Sequence, residues 1–308
     1  MSTHQQAPVL LRAGCKINLG LAITGLREDR YHLIDSIFYP LQTPCDLLRV
    51  DERKGPAGLT VHIDAHGIDP ENNTLTKAWK VFAEQTGFAP ALDVHLEKGI
   101  PWGAGLGGGS ADAAALLRHL SERSRENGVV VDDQTLAAMA ARVGADVPFF
   151  LWNRPMRVTG IGDILEPVDL DLSSFYLVLV MPPMNVSTPW AYKSYDELCL
   201  GQHAKGRSKV TENSHSGLKA LTDMVKVRKE CLPIQSPVEL INDLEPVVFR
   251  RYPGLRNIKE LLLDHGACTA SMSGSGSSIF ALFTDRAQAQ AAALALEWPV
   301  HLSSLAGM

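Results

Sequence analysis

Long apolar runs are missing from this sequence. No stretch reaches the ~18 consecutive apolar residues that a membrane-spanning helix needs. The N-terminal residues from Met1 to Pro8 contain no basic segment followed by an apolar one, which is the pattern of a secretion signal. We therefore expect a cytoplasmic protein without a membrane partner.

An excess of positive charge is also missing. The chain carries 34 acidic and 29 basic residues, for a net charge of -5. Proteins that bind nucleic acid depend on Lys and Arg to displace counterions from the phosphate backbone. The charge balance therefore predicts that nucleic acid is not a partner.

Cysteine is scarce, and no C-x-x-C pair occurs. The five cysteines, an odd number, are Cys15, Cys45, Cys199, Cys231 and Cys268. Disulfide frameworks and structural zinc sites both use cysteines at characteristic close spacings, so we expect reduced thiols. His62 and His66 lie four positions apart, but the alternation around them indicates a strand that leaves both exposed. We predict no metal site in the protein.

What the sequence does contain is enough apolar material for a large core. Apolar residues make up 45% of the chain, and its 308 residues exceed the roughly 250 to 300 at which a single core stops growing. We therefore predict two domains, residues 1–169 and 170–308, divided just before an apolar segment at 175–181.

Apolar periodicity predicts a mixture of strands and helices. Strands are expected at residues 9–21, 34–41, 47–51, 59–63, 92–97, 175–181 and 279–283. Helices are expected at residues 73–86, 110–125, 133–143, 242–249, 258–265 and 287–296. Pro40 and Pro44 are taken to end the second strand. The polar, Lys-rich and Arg-rich segment 201–230 is interpreted as a solvated surface helix or insertion, with a lid over an anionic substrate as the alternative.

The most informative segment is a glycine loop between a predicted strand and a predicted helix. Residues 101–111 read P-W-G-A-G-L-G-G-G-S-A, with five glycines within seven positions. Such a backbone can approach a ligand closely, and a helix N-terminus stabilises negative charge, so the loop predicts a phosphate site. Its candidate binding residues are Pro101, Trp102, Gly103, Ala104, Gly105, Leu106, Gly107, Gly108, Gly109, Ser110 and Ala111.

Two nucleotide-binding patterns can be compared with this loop. Gly103, Gly105 and Gly108 match the G-x-G-x-x-G fingerprint of dinucleotide-binding proteins, and the apolar segment 129–131 followed by Asp132 resembles the second strand and its acidic residue. A Walker A motif is excluded because Gly109 occupies the position of its lysine. The fingerprint alone is weak evidence for a dinucleotide.

Two further segments favour a different reading. Residues 144–150, G-A-D-V-P-F-F, place Asp146 just after a predicted helix and among apolar residues that exclude water. Residues 272–278 form a second loop of glycine and serine, which suits a close approach to a phosphate or to another chain segment. A dinucleotide site built on one loop has no use for this second loop.

Together with K-I-N-L at 16–19, Tyr31-His32 and N-D-L-E at 242–245, these motifs resemble the GHMP kinases, the superfamily that includes galactokinase and the homoserine, mevalonate and phosphomevalonate kinases. More narrowly, they resemble its branch acting on a cytidine-diphosphate-linked methylerythritol. The resemblance implies a two-domain α+β fold with the active site in the cleft between the domains. It also implies transfer of the γ-phosphoryl group of ATP to the 2-hydroxyl of that substrate.

The resemblance implies roles for residues on the substrate side. Asp146 would accept the proton of the attacking hydroxyl, and Lys16 would stabilise the developing alkoxide. Asn18 would hold a substrate hydroxyl. Around the cytosine, the implied residues are Tyr31 and Tyr192 as aromatic faces, His32 as the hydrogen-bonding partner of the base edge, and Thr188 as a weaker candidate.

On the ATP side, the resemblance implies that the glycine loop holds the phosphates. Asn73 and Lys98 would border the adenine or the ribose, with Lys77 as a further candidate. Mg²⁺ is expected with the ATP, although Ser110 is the sole sequence hint of a protein ligand for it.

The sequence departs from the family pattern in three places. Arg30 stands where a glycine is usual, Cys15 stands where an alanine is usual, and residues 201–235 are longer than is typical. Arg30 puts the local backbone in question, because glycine takes positive φ without strain and arginine does not. We interpret Cys15 as a small buried thiol.

Three other functions stay open from the sequence. The protein could be a different small-molecule kinase of the superfamily, an NAD-dependent oxidoreductase, or a nucleotide-binding regulatory module without catalysis. We expect a monomer or a weak homodimer.

Overall fold

The computed structural model describes residues 7–65, 69–203 and 237–306. His66, Cys231 and all but the first three residues of the basic segment 201–230 lie outside the described residues, so the interpretation of that segment as a surface insertion or a lid stays a prediction. None of the helices in the described ranges combines the length and the apolar character that crossing a bilayer requires.

The described residues form ten strands and eight helices. The strands are β1 (Val9–Leu26), β2 (His32–Glu52), β3 (Gly58–Ile63), β4 (Ala91–Glu97), β5 (Met156–Thr159), β6 (Ile164–Pro167), β7 (Tyr176–Val180), β8 (Thr269–Met272), β9 (Ile279–Phe283) and β10 (Val300–Ser304). The helices are α1 (Thr74–Thr86), α2 (Gly108–Glu126), α3 (Asp133–Val143), α4 (Val147–Trp152), α5 (Thr188–His203), α6 (Glu245–Arg251), α7 (Pro253–Asp264) and α8 (Arg286–Leu294).

Helices with strong local signals lie where the sequence predicts them. Helix α1 begins after Asn73, whose side chain accepts hydrogen bonds from two N–H groups of the first turn, and ends at Gly87 with φ 72°. Helix α3 begins after the capping residue Asp132 and ends before Gly144, as predicted. The apolar periodicity located these helices, and the structure adds the side-chain caps and glycines that end them.

The prediction that Pro40 and Pro44 end a strand is wrong. The segments predicted as two strands, 34–41 and 47–51, belong to the single strand β2, which runs through both prolines from His32 to Glu52. Proline removes one N–H donor but its φ is compatible with extended backbone, so a strand can continue where that donor is not needed.

The first of two compact units consists of Met1–Lys16, Pro40–Ile100 and Gly107–Arg154. Its sheet contains the second half of β2, antiparallel to β4 with Leu47 opposite Glu97, and β3, parallel to β4 with Gly58 opposite Ala91. Helices α1 to α4 belong to this unit and pack on one another. Their fully buried side chains include Phe82, Leu117 and Phe149.

The second unit consists of Ile17–Tyr39, Pro101–Leu106 and Pro155–Met308. Strand β5 pairs with the first half of β2 and with β6, and a four-stranded antiparallel sheet has the order β10-β7-β9-β8. Strand β9 is buried throughout and packs in a core that includes Leu21, Val248 and Leu262. Each unit is assembled from three separate stretches of chain, and the sequence division at residues 169 and 170 stays a prediction.

Candidate active site

Lys16 and Asp146 lie together in the first unit. Lys16 is on β1 with a side chain 5% exposed, and its Nζ is 4.0 Å from Oδ2 of Asp146, whose side chain is 32% exposed. Asp146 precedes the first turn of α4 but makes no capping hydrogen bond to it. A buried ammonium group therefore faces a carboxylate that solvent, or a ligand, can reach.

The side chain of Lys16 is buried. Burial lowers the pKa of Lys16, and the charge of Asp146 opposes that shift. The neighbouring Cys15 is buried as predicted, and burial raises the pKa of its thiol far above the usual value, so the thiol stays protonated. This environment strengthens the interaction between Lys16 and any negative charge that develops beside it.

Gly107 brings the end of the glycine loop against Lys16. A β-carbon at Gly107 would lie 2.9 Å from the ring of Phe150 and 3.3 Å from Cγ of Lys16, and Gly107 has φ 71°. A larger residue would collide with the Phe150 ring and would also be strained. The glycine thus places the start of α2 beside the Lys16 and Asp146 pair.

Helix α2 begins at Gly108, two residues before the predicted start at Ser110. Gly107 occupies the N-cap position and offers no side chain to cap the first N–H groups. The carbonyl of Gly109 accepts a hydrogen bond from Oγ1 of Thr74 at 2.7 Å, which ties this turn to α1. An uncapped glycine-rich helix start is suited to binding an anion with backbone N–H groups.

Two residues predicted to border the nucleotide have structural partners. Asn73 caps α1, and its amide group also donates to the carbonyl oxygens of Asp69 and Pro70 at 2.9 Å each. Lys98 Nζ is 3.1 Å from Oδ2 of Asp112 and forms a short contact with Oδ2 of Asp46. Their contacts with the nucleotide stay a prediction. Both side chains already make polar contacts within the first unit.

The remaining part of the glycine loop, residues 101–106, belongs to the second unit. Trp102 is 62% exposed, whereas Ala104 and Leu106 are buried. Gly105 has φ 76°, and a β-carbon there would lie 2.1 Å from the carbonyl oxygen of Ser273. The two loops therefore approach each other backbone to backbone, which is one of the two uses that the sequence predicted for the glycines and serines of residues 272–278.

Ser273 links the second loop to β1. Its Oγ accepts a hydrogen bond from the backbone N–H of Asn18 at 3.2 Å and donates to the carbonyl of Gly105 at 3.0 Å. The side-chain amide of Asn18 donates to Oγ of Ser36 at 3.0 Å. The structure thus brings Asn18 and the two loops together, and sequence reasoning did not single out Ser273 for this contact.

The N-D-L-E motif at 242–245 supports the second loop. Nδ2 of Asn242 donates to the carbonyl oxygens of Met272 at 2.8 Å and Gly274 at 2.9 Å. Oε1 of Glu245 accepts from the backbone N–H of Met272 at 2.8 Å. These side chains form the hydrogen bonds that the backbone groups of a buried, irregular loop need, which gives the motif a structural role.

His32 is the centre of a polar and aromatic cluster in the second unit. Its Nε2 is 2.7 Å from Oδ1 of Asp196, and its ring stacks on Tyr192 with centroids 4.7 Å apart. Tyr31 is 60% exposed, and Oγ1 of Thr188 is 2.7 Å from Oγ of Ser275. Asp196 was missed because no helix was predicted at α5, where a spacing of four residues places Tyr192 and Asp196 on one face.

Arg30 has the left-handed backbone conformation that a glycine adopts without strain. Its φ is 70°, in the left-handed region, and its N–H donates to the carbonyl of Arg27 at 2.9 Å. The departure from the family pattern therefore leaves the turn before Tyr31 and His32 in place, at the cost of local strain.

A dinucleotide-binding fold would need a second strand at residues 129–131. Residues 129–132 form no strand, and the side chain of Asp132 accepts a hydrogen bond from the N–H of Thr135 as the cap of α3. The acidic residue that resembled a ribose ligand therefore has a structural role.

Comparisons with known proteins identify the family of the chain. Residues 73–154 match the GHMP kinases N terminal domain, and residues 218–299 match the GHMP kinases C terminal family. A 4-diphosphocytidyl-2-C-methyl-D-erythritol kinase of Nitratidesulfovibrio vulgaris is 46% identical over 284 residues, covering 92% of this chain and 93% of the relative. The kinase of the same name from Oleidesulfovibrio alaskensis is 44% identical over 311 residues, with 92% and 93% covered.

Solved structures give the same result. A crystal structure of 4-(cytidine 5'-diphospho)-2C-methyl-D-erythritol kinase superposes with a TM-score of 0.73 at 30% identity, covering 96% of this chain and 98% of that one. A homoserine kinase from Cytophaga hutchinsonii has a TM-score of 0.67 at 19% identity, with 98% and 97% covered, which reflects a shared fold.

Proposed function

The chain belongs to the 4-diphosphocytidyl-2-C-methyl-D-erythritol kinase family of the GHMP kinases, and we propose that it transfers the γ-phosphoryl group of ATP to the 2-hydroxyl of that alcohol. The products are the 2-phosphate and ADP, and the reaction belongs to the non-mevalonate route to isoprenoid precursors. The observation that carries the proposal is the pairing of Lys16 with a solvent-accessible Asp146 beside the uncapped start of α2.

In this proposal, Asp146 receives the proton of the attacking hydroxyl. The alcohol oxygen forms a bond to the γ-phosphorus while the bond from that phosphorus to the ADP oxygen breaks. Lys16 stabilises the negative charge that develops on the alcohol oxygen. The N–H groups at the start of α2 bind the phosphates and hold them in line.

The cytidine end of the substrate is assigned to the His32 cluster. Nε2 of His32 shares a 2.7 Å hydrogen bond with Oδ1 of Asp196, and in the tautomer in which Nε2 is the donor, Nδ1 is left as an acceptor. An acceptor suits the exocyclic amino group of cytosine, whereas the carbonyl of uracil at that position would need a donor. Asp196 thus sets which atom the imidazole presents to the base.

Mg²⁺ enters this proposal as part of the Mg·ATP substrate. No group of three or more His, Cys, Asp or Glu side chains able to hold a metal ion occurs in the described part of the chain. Magnesium commonly keeps several waters and binds through substrate phosphates rather than in a protein cage. Location in the cytoplasm and a monomeric or weakly dimeric state stay predictions.

The test of the function is ADP release from Mg·ATP. We expect turnover with 4-diphosphocytidyl-2-C-methyl-D-erythritol and none with homoserine, mevalonate or galactose, each measured in a coupled assay at equal protein concentration. Turnover on one of the other alcohols instead would leave the kinase fold and remove the substrate assignment.

Replacing Tyr192 by alanine tests the cytidine assignment. Tyr192→Ala is expected to weaken binding of the cytidylyl substrate by ~1 to 3 kcal/mol through lost stacking and through loss of support for the His32 ring, with ATP affinity unchanged. Calorimetric titration with each ligand measures both effects. Tyr176→Ala, an aromatic removed from β7 in the same unit, is the control. Equal weakening of both ligands by Tyr192→Ala would argue against this pocket.

A further inference from the structure

Asp46, Lys98 and Asp112 form a buried triad in the first unit. Their side chains are 0%, 9% and 3% exposed, and Lys98 Nζ contacts Oδ2 of both carboxylates. Oδ1 of Asp46 accepts hydrogen bonds from the N–H groups of Gly99 and Ile100, each at 2.8 Å. The triad therefore joins three elements: β2, the end of β4 and α2.

The charges of the triad are not balanced. Two carboxylates share one ammonium group, and Oδ1 of Asp112 is buried without a hydrogen-bond partner in the described structure. Burial raises the pKa of Asp112 to about 7, although Lys98 acts in the opposite direction. Burial disfavours the charged form of Lys98. The two carboxylates favour it more strongly, so the pKa of Lys98 is raised.

Stability by itself is a poor reason for such a cluster. Desolvation of buried ions costs several kcal/mol per ion. Replacing such ions by well-packed apolar residues is often neutral or stabilising. The position of the triad suggests another reason. Gly99 and Ile100 are the two residues before the glycine loop, and Asp112 lies about one helical turn after Gly108, the first residue of α2.

Gly108 shows how tightly the triad and the helix start fit together. A β-carbon at Gly108 would lie 3.2 Å from Oδ2 of Asp46 and 3.0 Å from Cγ2 of Ile100. The backbone of the first turn of α2 therefore packs directly against the carboxylate that also holds the two residues before the loop. A shift of the triad would be transmitted to this turn without any flexible side chain in between.

We propose that Asp46, Lys98 and Asp112 are positioning residues that hold the first turn of α2 against the end of β4 and so set the geometry in which its N–H groups bind the phosphates of ATP. This inference rests on the proposed function, which assigns the phosphates to that turn. It gives Lys98 a role through the helix rather than through contact with the nucleotide. Backbone donors bind an anion well only when they are already aligned, since aligning them on binding costs free energy.

The experiment compares two double variants of the full-length protein. Lys98→Met/Asp112→Asn removes the ammonium and one carboxylate together, so the cluster gains no net charge. The control, Arg123→Met/Glu52→Gln, removes a 2.6 Å ion pair that joins the far end of the same helix to β2. The dissociation constant for Mg·ATP is measured by calorimetry, and the melting temperature by circular dichroism.

We expect the triad variant to bind Mg·ATP about tenfold more weakly or worse, as for other small misplacements of binding groups. The control variant is expected to melt at a lower temperature with unchanged affinity. Unchanged affinity in the triad variant, or the same loss in both variants, would overturn the proposal. If the double variant does not fold, Asp112→Asn alone, which keeps the shape of the side chain, is expected to weaken binding in the same direction, and wild-type affinity there would overturn the proposal equally.

The test separates this inference from the proposed function. If the wild-type protein binds Mg·ATP but does not phosphorylate the cytidylyl substrate, the substrate assignment fails and the triad result still decides the positioning role. If the wild-type protein does not bind Mg·ATP, both fail.

Discussion

Asp146→Asn is expected to lower kcat by about 10²- to 10⁴-fold while the affinity for ATP stays within experimental error of wild type. The amide keeps the size of the carboxylate but cannot accept the hydroxyl proton, so the loss should fall on the chemical step. Asp146 makes no capping hydrogen bond to α4, and its side chain is 32% exposed, so the amide at this position needs no new buried partner.

The measurement is single-turnover kinetics with saturating Mg·ATP, beside an equilibrium titration of ATP. Asp93→Asn is a matched control, since Asp93 is also in the first unit, also pairs with a cation, and has a side chain 34% exposed. Turnover of Asp146→Asn close to that of Asp93→Asn would remove Asp146 from the reaction and would favour a regulatory module that only binds nucleotide.

Lys16→Met is the second substitution with a large expected effect. Removing the ammonium group beside the developing alkoxide is expected to lower kcat by about 10²- to 10³-fold, in the range found when one stabilising donor is lost. Methionine has a similar length and can fill the space between Gly107 and Phe150. Because burial lowers the pKa of Lys16, the charged form is less favourable in the folded chain than in water, so the melting temperature should not fall.

Arg49→Met serves as the control for Lys16→Met. Arg49 is also in the first unit, and its Nε lies 3.1 Å from Oδ2 of Asp51, so its removal costs a contact without removing a charge from beside Asp146. Both variants are assayed for kcat and for melting temperature. A fall in stability for Lys16→Met that accounts for its lost turnover would show that the lysine acts in folding and not in phosphoryl transfer.

Local features of the sequence were sufficient for several parts of the fold and site. Apolar periodicity located α1 and α3, and the five glycines located the loop that leads into α2. Short elements such as β5 and β8, of four residues each, were missed, since their pairing partners and not their own composition stabilise them. Helix α4 was missed for a related reason, because a six-residue helix has little periodicity to detect.

The sequence by itself determined which groups we propose for phosphoryl transfer. They are the glycine loop, the Lys16-Ile17-Asn18 strand and Asp146, each recognisable within a few residues of chain. The tertiary structure alone decided which distant side chains meet them. His32 and Asp196 are 164 positions apart, and Asn18 and Ser273 are 255 apart. The two buried carboxylates that Lys98 joins could also be identified only from the tertiary structure, because the free energy of a buried charge depends on partners that only folding brings within reach. The predicted contact of Lys98 with the nucleotide stays a prediction.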